Sequence, residues 1–280
     1  MVTPVLAALA AGGAHCGRPD WLSEGEAVDI PFTGTAPAAA QAAALAALVG
    51  QPVDAIAQVA AGRRKSLLLA DMDSTIVTTE TLDELAAEAG LKERIAAITA
   101  RAMNGELDFK AALRERVAML KGLDEAALLR TWETTELMPG ARLLVATMRA
   151  AGAHAALVSG GFTFFTARVA ALVGFHEHHA NELVVTDGRL AGTVAEPILD
   201  RDSKLARLMG LSRSLGIAVG DTLTVGDGAN DLPMLKAAGL GVAFRAKPTV
   251  QAEVQARVNH GDLTALLFAQ GFRRAQFAPA

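Results

Sequence analysis

From Ser66 onward the chain alternates short, continuously apolar runs with longer stretches whose apolar positions recur at helical spacing. The runs Ser66–Ala70, His154–Val158, Thr222–Val225 and Leu240–Ala243 predict strands buried on both faces, and the stretches between them predict helices. That alternation specifies an α/β fold with a Rossmann-like parallel sheet as its core. The first two runs are separated by about 80 residues that read almost wholly as helix, too many for a simple crossover. They predict an inserted helical cap over about residues 77–137. Within Glu182–Thr193, β-rich flanks surround Asp187-Gly188, a dipeptide suited to a tight hairpin turn. Ahead of Ser66, the apolar run Val5–Ala11 fits a strand or a short helix, and Pro37–Val49 is an alanine-dominated helical segment. The expected organisation is a small amino-terminal accessory domain, residues 1–62, followed by a main domain, residues 63–280.

Composition narrows the partners. With 280 residues and 51% hydrophobic side chains the chain can bury a substantial core. Its 26 basic and 30 acidic residues give a formal charge of -4, so no basic footprint for nucleic acid exists. The cluster Arg63-Arg64-Lys65 reads as a solvated linker. Cys16 is the single cysteine, which rules out an intrachain disulfide and fits a reducing, cytoplasmic compartment. Val5–Ala11 is short for a signal-peptide core and no Lys or Arg precedes it, and no apolar stretch reaches the roughly 20 residues that span a bilayer. Neither nucleic acid nor membrane is an expected partner.

The chemistry lies where the strands end. Leu67-Leu68-Leu69-Ala70 runs directly into Asp71-Met72-Asp73-Ser74-Thr75, and strand alternation would point Asp71 and Asp73 to one side. Leu223-Thr224-Val225 runs into Gly226-Asp227-Gly228-Ala229-Asn230-Asp231, adding two carboxylates where glycines permit close backbone approach. Ligands of open α/β sheets bind at such carboxyl ends, and four acids gathered there would repel one another unless a hard divalent cation such as Mg²⁺ joined them. The third ending, Ser159-Gly160-Gly161, offers a hydroxyl and glycine amides near a helix start, a suitable cradle for phosphate oxygens. Lys204 lies between the second and third endings, in a helix that Asp202 or Ser203 could cap. Singly, each acid or glycine here could be only a turn former or a cap; turn chemistry does not require the ordered set.

These four segments, in this order and spacing over about Ser66–Ala243, resemble the motifs of the haloacid dehalogenase-like hydrolases. Through Asp71–Glu80, Met103-Asn104-Gly105 and Phe109–Lys121 the chain is similar to the phosphoserine phosphatase branch of that family. The resemblance implies that Asp71 attacks phosphorus to form an aspartyl-phosphate. Asp73 would protonate the departing oxygen and later activate water. Mg²⁺ would be held by Asp71, the backbone carbonyl of Asp73, and Asp227, with Asp231 acting beside it. Ser159, the Gly160 amide, Lys204 and Asn230 would hold the phosphoryl group.

O-phosphoserine carries an ammonium and a carboxylate beyond its phosphate. Phe109, Leu113, Arg116, Val117 and Leu120 trace one helical stripe, with Arg116 as a charge set within it. Arg116 could snorkel from the stripe's edge to water, whereas the resemblance places it on the substrate carboxylate. Glu80 could simply favour the positive end of a helix running Thr81–Ala89; the resemblance places it on the ammonium, with Met103 and Phe109 closing apolar surface over the pocket. Trp132 and Phe164 read as core, and His176, His178 and His179 as a solvated polar loop. Two other readings remain: the same core acting on another small phosphate ester as phosphatase or phosphotransferase, and a non-catalytic phosphate-binding regulatory module.

Overall fold

Leu67–Ala70 is buried over its whole length, and the rest of the molecule is arranged around that strand. The computed structural model describes residues 1–103 and 107–279, without the side chains of Ala100, Ala102 and Met103. In chain order the elements are α1 (Val2–Ala11), β1 (His15–Cys16), β2 (Asp20–Ser23), β3 (Ala27–Asp29), β4 (Phe32–Thr33), α2 (Pro37–Ala47), β5 (Leu67–Ala70) and α3 (Thr81–Glu88). There follow α4 (Lys92–Met103), α5 (Phe109–Ala118), α6 (Ala126–Glu133), α7 (Ala141–Ala150), β6 (His154–Phe162), α8 (Thr163–Val173), β7 (Glu177–Asn181), β8 (Leu183–Thr186) and β9 (Arg189–Val194). The last are α9 (Arg201–Leu215), β10 (Thr222–Gly226), α10 (Leu232–Ala237), β11 (Leu240–Phe244), α11 (Pro248–Glu253), β12 (Ala256–Val258) and α12 (Ala265–Ala269).

Six strands form one parallel sheet in the order β12-β11-β10-β5-β6-β7. Strand β5 sits between β10 and β6, so the chain leaves it in one direction and returns on its other side. The crevice at that switch point opens at the carboxyl ends of the strands, where Asp71, Ser159 and Asp227 follow β5, lie within β6 and follow β10. Alternate residues of β5 face opposite cores: Leu68 and Ala70 join the larger cluster with Leu144, Val145 and Phe165, while Leu67 and Leu69 pack with Leu208, Leu211 and Met234. Two-sided burial is the reason the strand reads as an unbroken apolar run.

Two strands of the sheet lay outside the expected four. Strand β7 reads Glu-His-His-Ala-Asn and β12 spans three residues; both are sheet edges, where polar or short sequences are tolerated and the apolar signal fades. His178 and His179 therefore do not lie in a solvated loop, whereas His176 is exposed in the bend before β7. His178 and His179 belong to β7, His154 and His179 both contact Glu177 at 2.7 Å, and His154 stacks on His176. Nor is Arg63-Arg64-Lys65 merely solvated: Arg63 pairs with Asp29 at 2.6 Å, Arg64 lies over the Phe272 ring, and the Lys65 ammonium donates to the Gly220 carbonyl.

Val5–Ala11 falls within helix α1, which packs on α2 around Val5, Leu9, Ala40, Ala44 and Leu48, a cluster separate from those flanking the large sheet. Asp54 fastens the segment after α2 to the far edge of that sheet, accepting the amides of Asn259, His260 and Gly261 at 2.8, 3.0 and 2.9 Å. Helices α3–α6 lie between β5 and α7. The β8–β9 hairpin turns at Asp187-Gly188, both with positive φ, the backbone a two-residue hairpin turn demands. Its strand β9 takes up the segment following α5, through Gly122 N to Leu190 O and Leu190 N to Leu123 O. Trp132 and Phe164 are partly buried against the main core, as the sequence indicated. No helix among the described residues is long and apolar enough to cross a membrane.

Candidate active site

Four loops build the site, each emerging from a strand end or a helix start. After β5 the chain turns sharply: the amides of Ile76 and Val77 both donate to the Met72 carbonyl, and Ser74 adopts φ 54°. This turn leaves Asp71 buried at the base and directs Asp73 toward the helical segment above. Asp71 Oδ1 accepts from the Met72 amide at 2.8 Å and from the Lys204 ammonium at 2.7 Å. Lys204 also reaches Asp231 Oδ1 at 2.6 Å, while Asp231 Oδ2 accepts the Gly228 amide at 3.0 Å. The helix bearing Lys204 is capped by neither Asp202 nor Ser203 acting alone: Asp200 is the N-cap, and Ser203 Oγ accepts from the Asp200 amide in a reciprocal capping box.

The carboxylates of Asp71, Asp227 and Asp231 lie within 4.8 Å of one another. The Asp73 carboxylate does not join them, contrary to the simple expectation of four converging side chains. It turns away because Thr81 N donates to Oδ1 at 2.8 Å and Ser159 Oγ to Oδ2 at 2.9 Å. The close approach needs glycine: a Cβ on Gly161 would lie 2.9 Å from Asp73 Oδ2, and one on Gly226 would lie 2.4 Å from Asp231.

Burial and crowding determine the electrostatics. Burial, reinforced by Asp231, raises Asp71 well above the usual carboxylate range despite Lys204. Asp227 is pushed up to about 6 by burial and by Asp231. Burial and the nearby Glu80 raise Asp73 to about 6, against hydrogen bonds from Thr81 and Ser159, leaving a carboxyl able both to give and to take a proton near neutrality. Burial pulls Lys204 down, but Asp231 and Asp71 more than offset it and keep the ammonium firmly charged. Ionised together, three carboxylates against one ammonium would leave two negative charges in a buried space, the repulsion that raises Asp71 and Asp227. That imbalance, and an all-oxygen donor set, fit a divalent hard cation. Both oxygens of Asp231 are already engaged by Lys204 and Gly228, so Asp71 and Asp227 are the carboxylates with oxygens to offer.

The helical segment supplies the roof. Phe109 lies over the glycine loop, with its Cζ 3.2 Å from where a Cβ on Gly160 would stand. Along α5 Leu113 and Val117 are buried, as is Leu120 in the turn just after it, and Arg116 is half-buried, its Nε donating to the Ala112 carbonyl. Burial lowers Arg116 from its ordinary value against the opposing pull of Asp83 and Glu80. Glu80 makes no side-chain helix cap; its carboxylate accepts from Ser74 Oγ at 2.7 Å. Asn230 is half-buried beside Gly228. The side chain of Met103, with Asn104 and Gly105, lies outside the described residues. Sequence reasoning missed Thr81 and Asp83: a backbone donor leaves no residue-type signal, and Asp83 reads as an ordinary first-turn acid.

The haloacid dehalogenase-like hydrolase family matches residues 68–236. A phosphoserine phosphatase of Streptomyces coelicolor is 42% identical over 228 residues, covering 80% of this chain and 56% of its own, so this chain spans little more than half of that relative's length. A haloacid dehalogenase family hydrolase of Salmonella enterica serovar Typhi superposes with a TM-score of 0.85 at 29% identity, covering 96% of this chain and 93% of its own. A substrate-bound phosphoserine phosphatase superposes with a TM-score of 0.69 at 37% identity, covering 73% of this chain and 98% of its own. With the matched region spanning most of the large sheet and every loop of the carboxylate cluster, the chain belongs to the haloacid dehalogenase-like hydrolases.

Proposed function

We propose that this protein hydrolyses O-phospho-L-serine to serine and phosphate. One observation carries the reading: a cation and an anion, Arg116 and Glu80, stand close enough to influence each other above a buried carboxylate–lysine cluster suited to phosphate chemistry. Phosphoserine presents a carboxylate to the first, an ammonium to the second and a phosphate to the third. Two relatives described above are themselves phosphoserine phosphatases.

Asp71 and Asp227, with the backbone carbonyl of Asp73, would hold Mg²⁺, which when bound neutralises the carboxylate and phosphate charges that oppose attack. Lys204 and the Met72 amide fix Asp71 through Oδ1; Oδ2, which receives no hydrogen bond among the described residues, is the oxygen for in-line attack on phosphorus. As that bond forms, the phosphorus–oxygen bond to serine breaks and Asp73 gives the leaving oxygen its proton. Asp73 then takes a proton from water, the water oxygen attacks phosphorus, and Asp71 is released as a carboxylate. Ser159, the Gly160 amide, Lys204 and Asn230 hold the phosphoryl oxygens, a largely electrostatic contribution. Phe109 excludes water from above. Asp231 holds Lys204 and the Gly228 turn in place. The accessory region is residues 1–62, the cap spans about residues 77–137, and the setting is the cytoplasm, with a small-molecule substrate and neither nucleic acid nor membrane as partner.

The test is Mg²⁺-dependent phosphate release from O-phospho-L-serine against sugar phosphates and nucleotides, for the parent and for Asp71→Asn. The parent prefers phosphoserine, and Asp71→Asn folds but loses turnover and the acyl-phosphate adduct. Equal rates on all esters would refute the roles of Glu80 and Arg116, and an active Asp71→Asn would remove Asp71 as nucleophile.

A further inference from the structure

Strands β6 and β7 pair regularly from Ala156 opposite Glu177 to Val158 opposite His179, then lose register before Phe162 meets Asn181. Three residues, Ser159, Gly160 and Gly161, stand where β7 has only Ala180. Such a bulge re-aims the backbone toward a site but takes its peptide groups out of the ladder. The Gly160 carbonyl is one of them, and a side chain replaces its lost partner. Asn181 Nδ2 donates to Gly160 O at 2.9 Å and to Leu199 O at 3.3 Å, while Oδ1 accepts Leu199 N at 2.7 Å. Asn181 is only 2% exposed, so these bonds have no ready replacement in water.

Leu199 belongs to a segment that the helical roof also contacts. Lys110 Nζ lies 3.1 Å from Asp200 Oδ2, and Arg114, one turn further along α5, lies 2.6 Å from Glu196. The other oxygen of Asp200 caps α9, whose first turns carry Lys204. One short stretch, residues 196–200, therefore meets the roof helix and the lysine helix directly and the glycine loop through Asn181.

We infer that Asn181 is a positioning residue for the phosphoryl group: it fixes the Gly160–Gly161 peptide, and with it the Ser159 hydroxyl, and holds the glycine loop to the segment on which the roof and the Lys204 helix converge. The Gly160 carbonyl shares its peptide with the Gly161 amide, which donates to Ser159 Oγ at 2.8 Å; without the Asn181 donor that peptide is free to rotate, and the Ser159 hydroxyl and the adjoining Gly160 amide lose the positions in which they meet the phosphoryl oxygens. A misdirected donor costs most in the transition state, where charge builds on those oxygens. The inference rests on the phosphate-ester reading above.

Two variants separate the bonds. Asn181→Leu removes all three, whereas Asn181→Asp keeps the acceptor for Leu199 N and loses the donor to Gly160 O. Each is assayed with O-phospho-L-serine and with p-nitrophenyl phosphate, for inhibition by inorganic phosphate, and for thermal unfolding. The expected result is a kcat loss of about tenfold to a hundredfold on both esters and weaker inhibition by phosphate. The KM for phosphoserine moves less than about threefold, because Arg116 and Glu80 are untouched. A folded variant with parental kcat and parental phosphate inhibition overturns the inference. So does failure of both variants to fold, which would make Asn181 a core residue alone. If the parent hydrolyses p-nitrophenyl phosphate but not phosphoserine, the substrate reading fails while the Asn181 comparison stands on the remaining ester.

Discussion

Replacing Lys204 by methionine removes one charge from the most buried part of the site while keeping the side chain's apolar length. Lys204 is 3% exposed and lies 2.7 Å from Asp71 and 2.6 Å from Asp231, whose side chains are 7% and 0% exposed. At those separations, with an effective dielectric of about 20, each contact is an attraction of roughly 6 kcal/mol before desolvation is subtracted. Desolvation of a buried ammonium removes much of that sum, so the gross attraction is not the loss to be expected. Taking one partner out of a buried ion pair costs about 3–5 kcal/mol, because the carboxylates left behind have neither water nor a counter-charge. For a chain of this size the thermal midpoint falls by roughly 10 °C. Urea unfolding of parent and Lys204→Met, both stripped of divalent ions by chelation, measures the difference. Adding Mg²⁺ then recovers part of the loss in the variant, since a divalent ion meets the same uncompensated charge. A Lys204→Met protein within about 1 kcal/mol of the parent without metal would refute the reasoning, because the carboxylates would then be solvated or able to move apart.

Arg116→Ala raises the KM for phosphoserine by about tenfold to a hundredfold, the value of a charge-assisted hydrogen bond to a carboxylate, and leaves p-nitrophenyl phosphate hydrolysis within about threefold; an equal loss on both substrates in steady-state kinetics would contradict it. Gly226→Ala places a methyl 2.4 Å from Asp231 and displaces the acid that holds Lys204. It destabilises by about 1–3 kcal/mol in urea unfolding and lowers kcat, and a silent substitution would mean that the loop yields freely. Stability also falls on acidification at the β7 edge. Burial, with Arg149 and His154, holds His176 below its ordinary value of 6.5; burial likewise lowers His179, and Glu177 lies below 4.5 because hydrogen bonds from His179 and His154 outweigh its burial. For each group the unfolded chain binds more protons than the folded one. Their contribution is therefore complete above about pH 6.5, and is lost first through the histidines and then, below about pH 4.5, through Glu177. Urea unfolding between pH 7.5 and 5.5 shows this slope, reduced in His179→Gln; an identical slope in that variant would remove His179 from the account.

The sequence by itself determined the central strands and the placement of the chemistry. An unbroken apolar run marks a strand covered on both faces, and an abrupt switch to Asp and Gly marks its exposed carboxyl end, so Leu67–Asp73 and Leu223–Asp231 were legible without coordinates. So was the Asp187-Gly188 turn, because few residues tolerate its backbone. Edges were not legible: β7 is polar and partly wetted, and β12, although Ala256 and Val258 are buried, is too brief to show an apolar pattern. Only the tertiary structure decided that Asp73 turns from the acid cluster to Thr81 and Ser159, that Asp200 is the cap of the Lys204 helix, and that Asn181 mends the bulge at Gly160. Those are contacts between residues distant in sequence or with backbone groups. A hydrogen bond to a peptide is available to any residue that the fold brings near it, so the linear chain holds no mark of which one will form it.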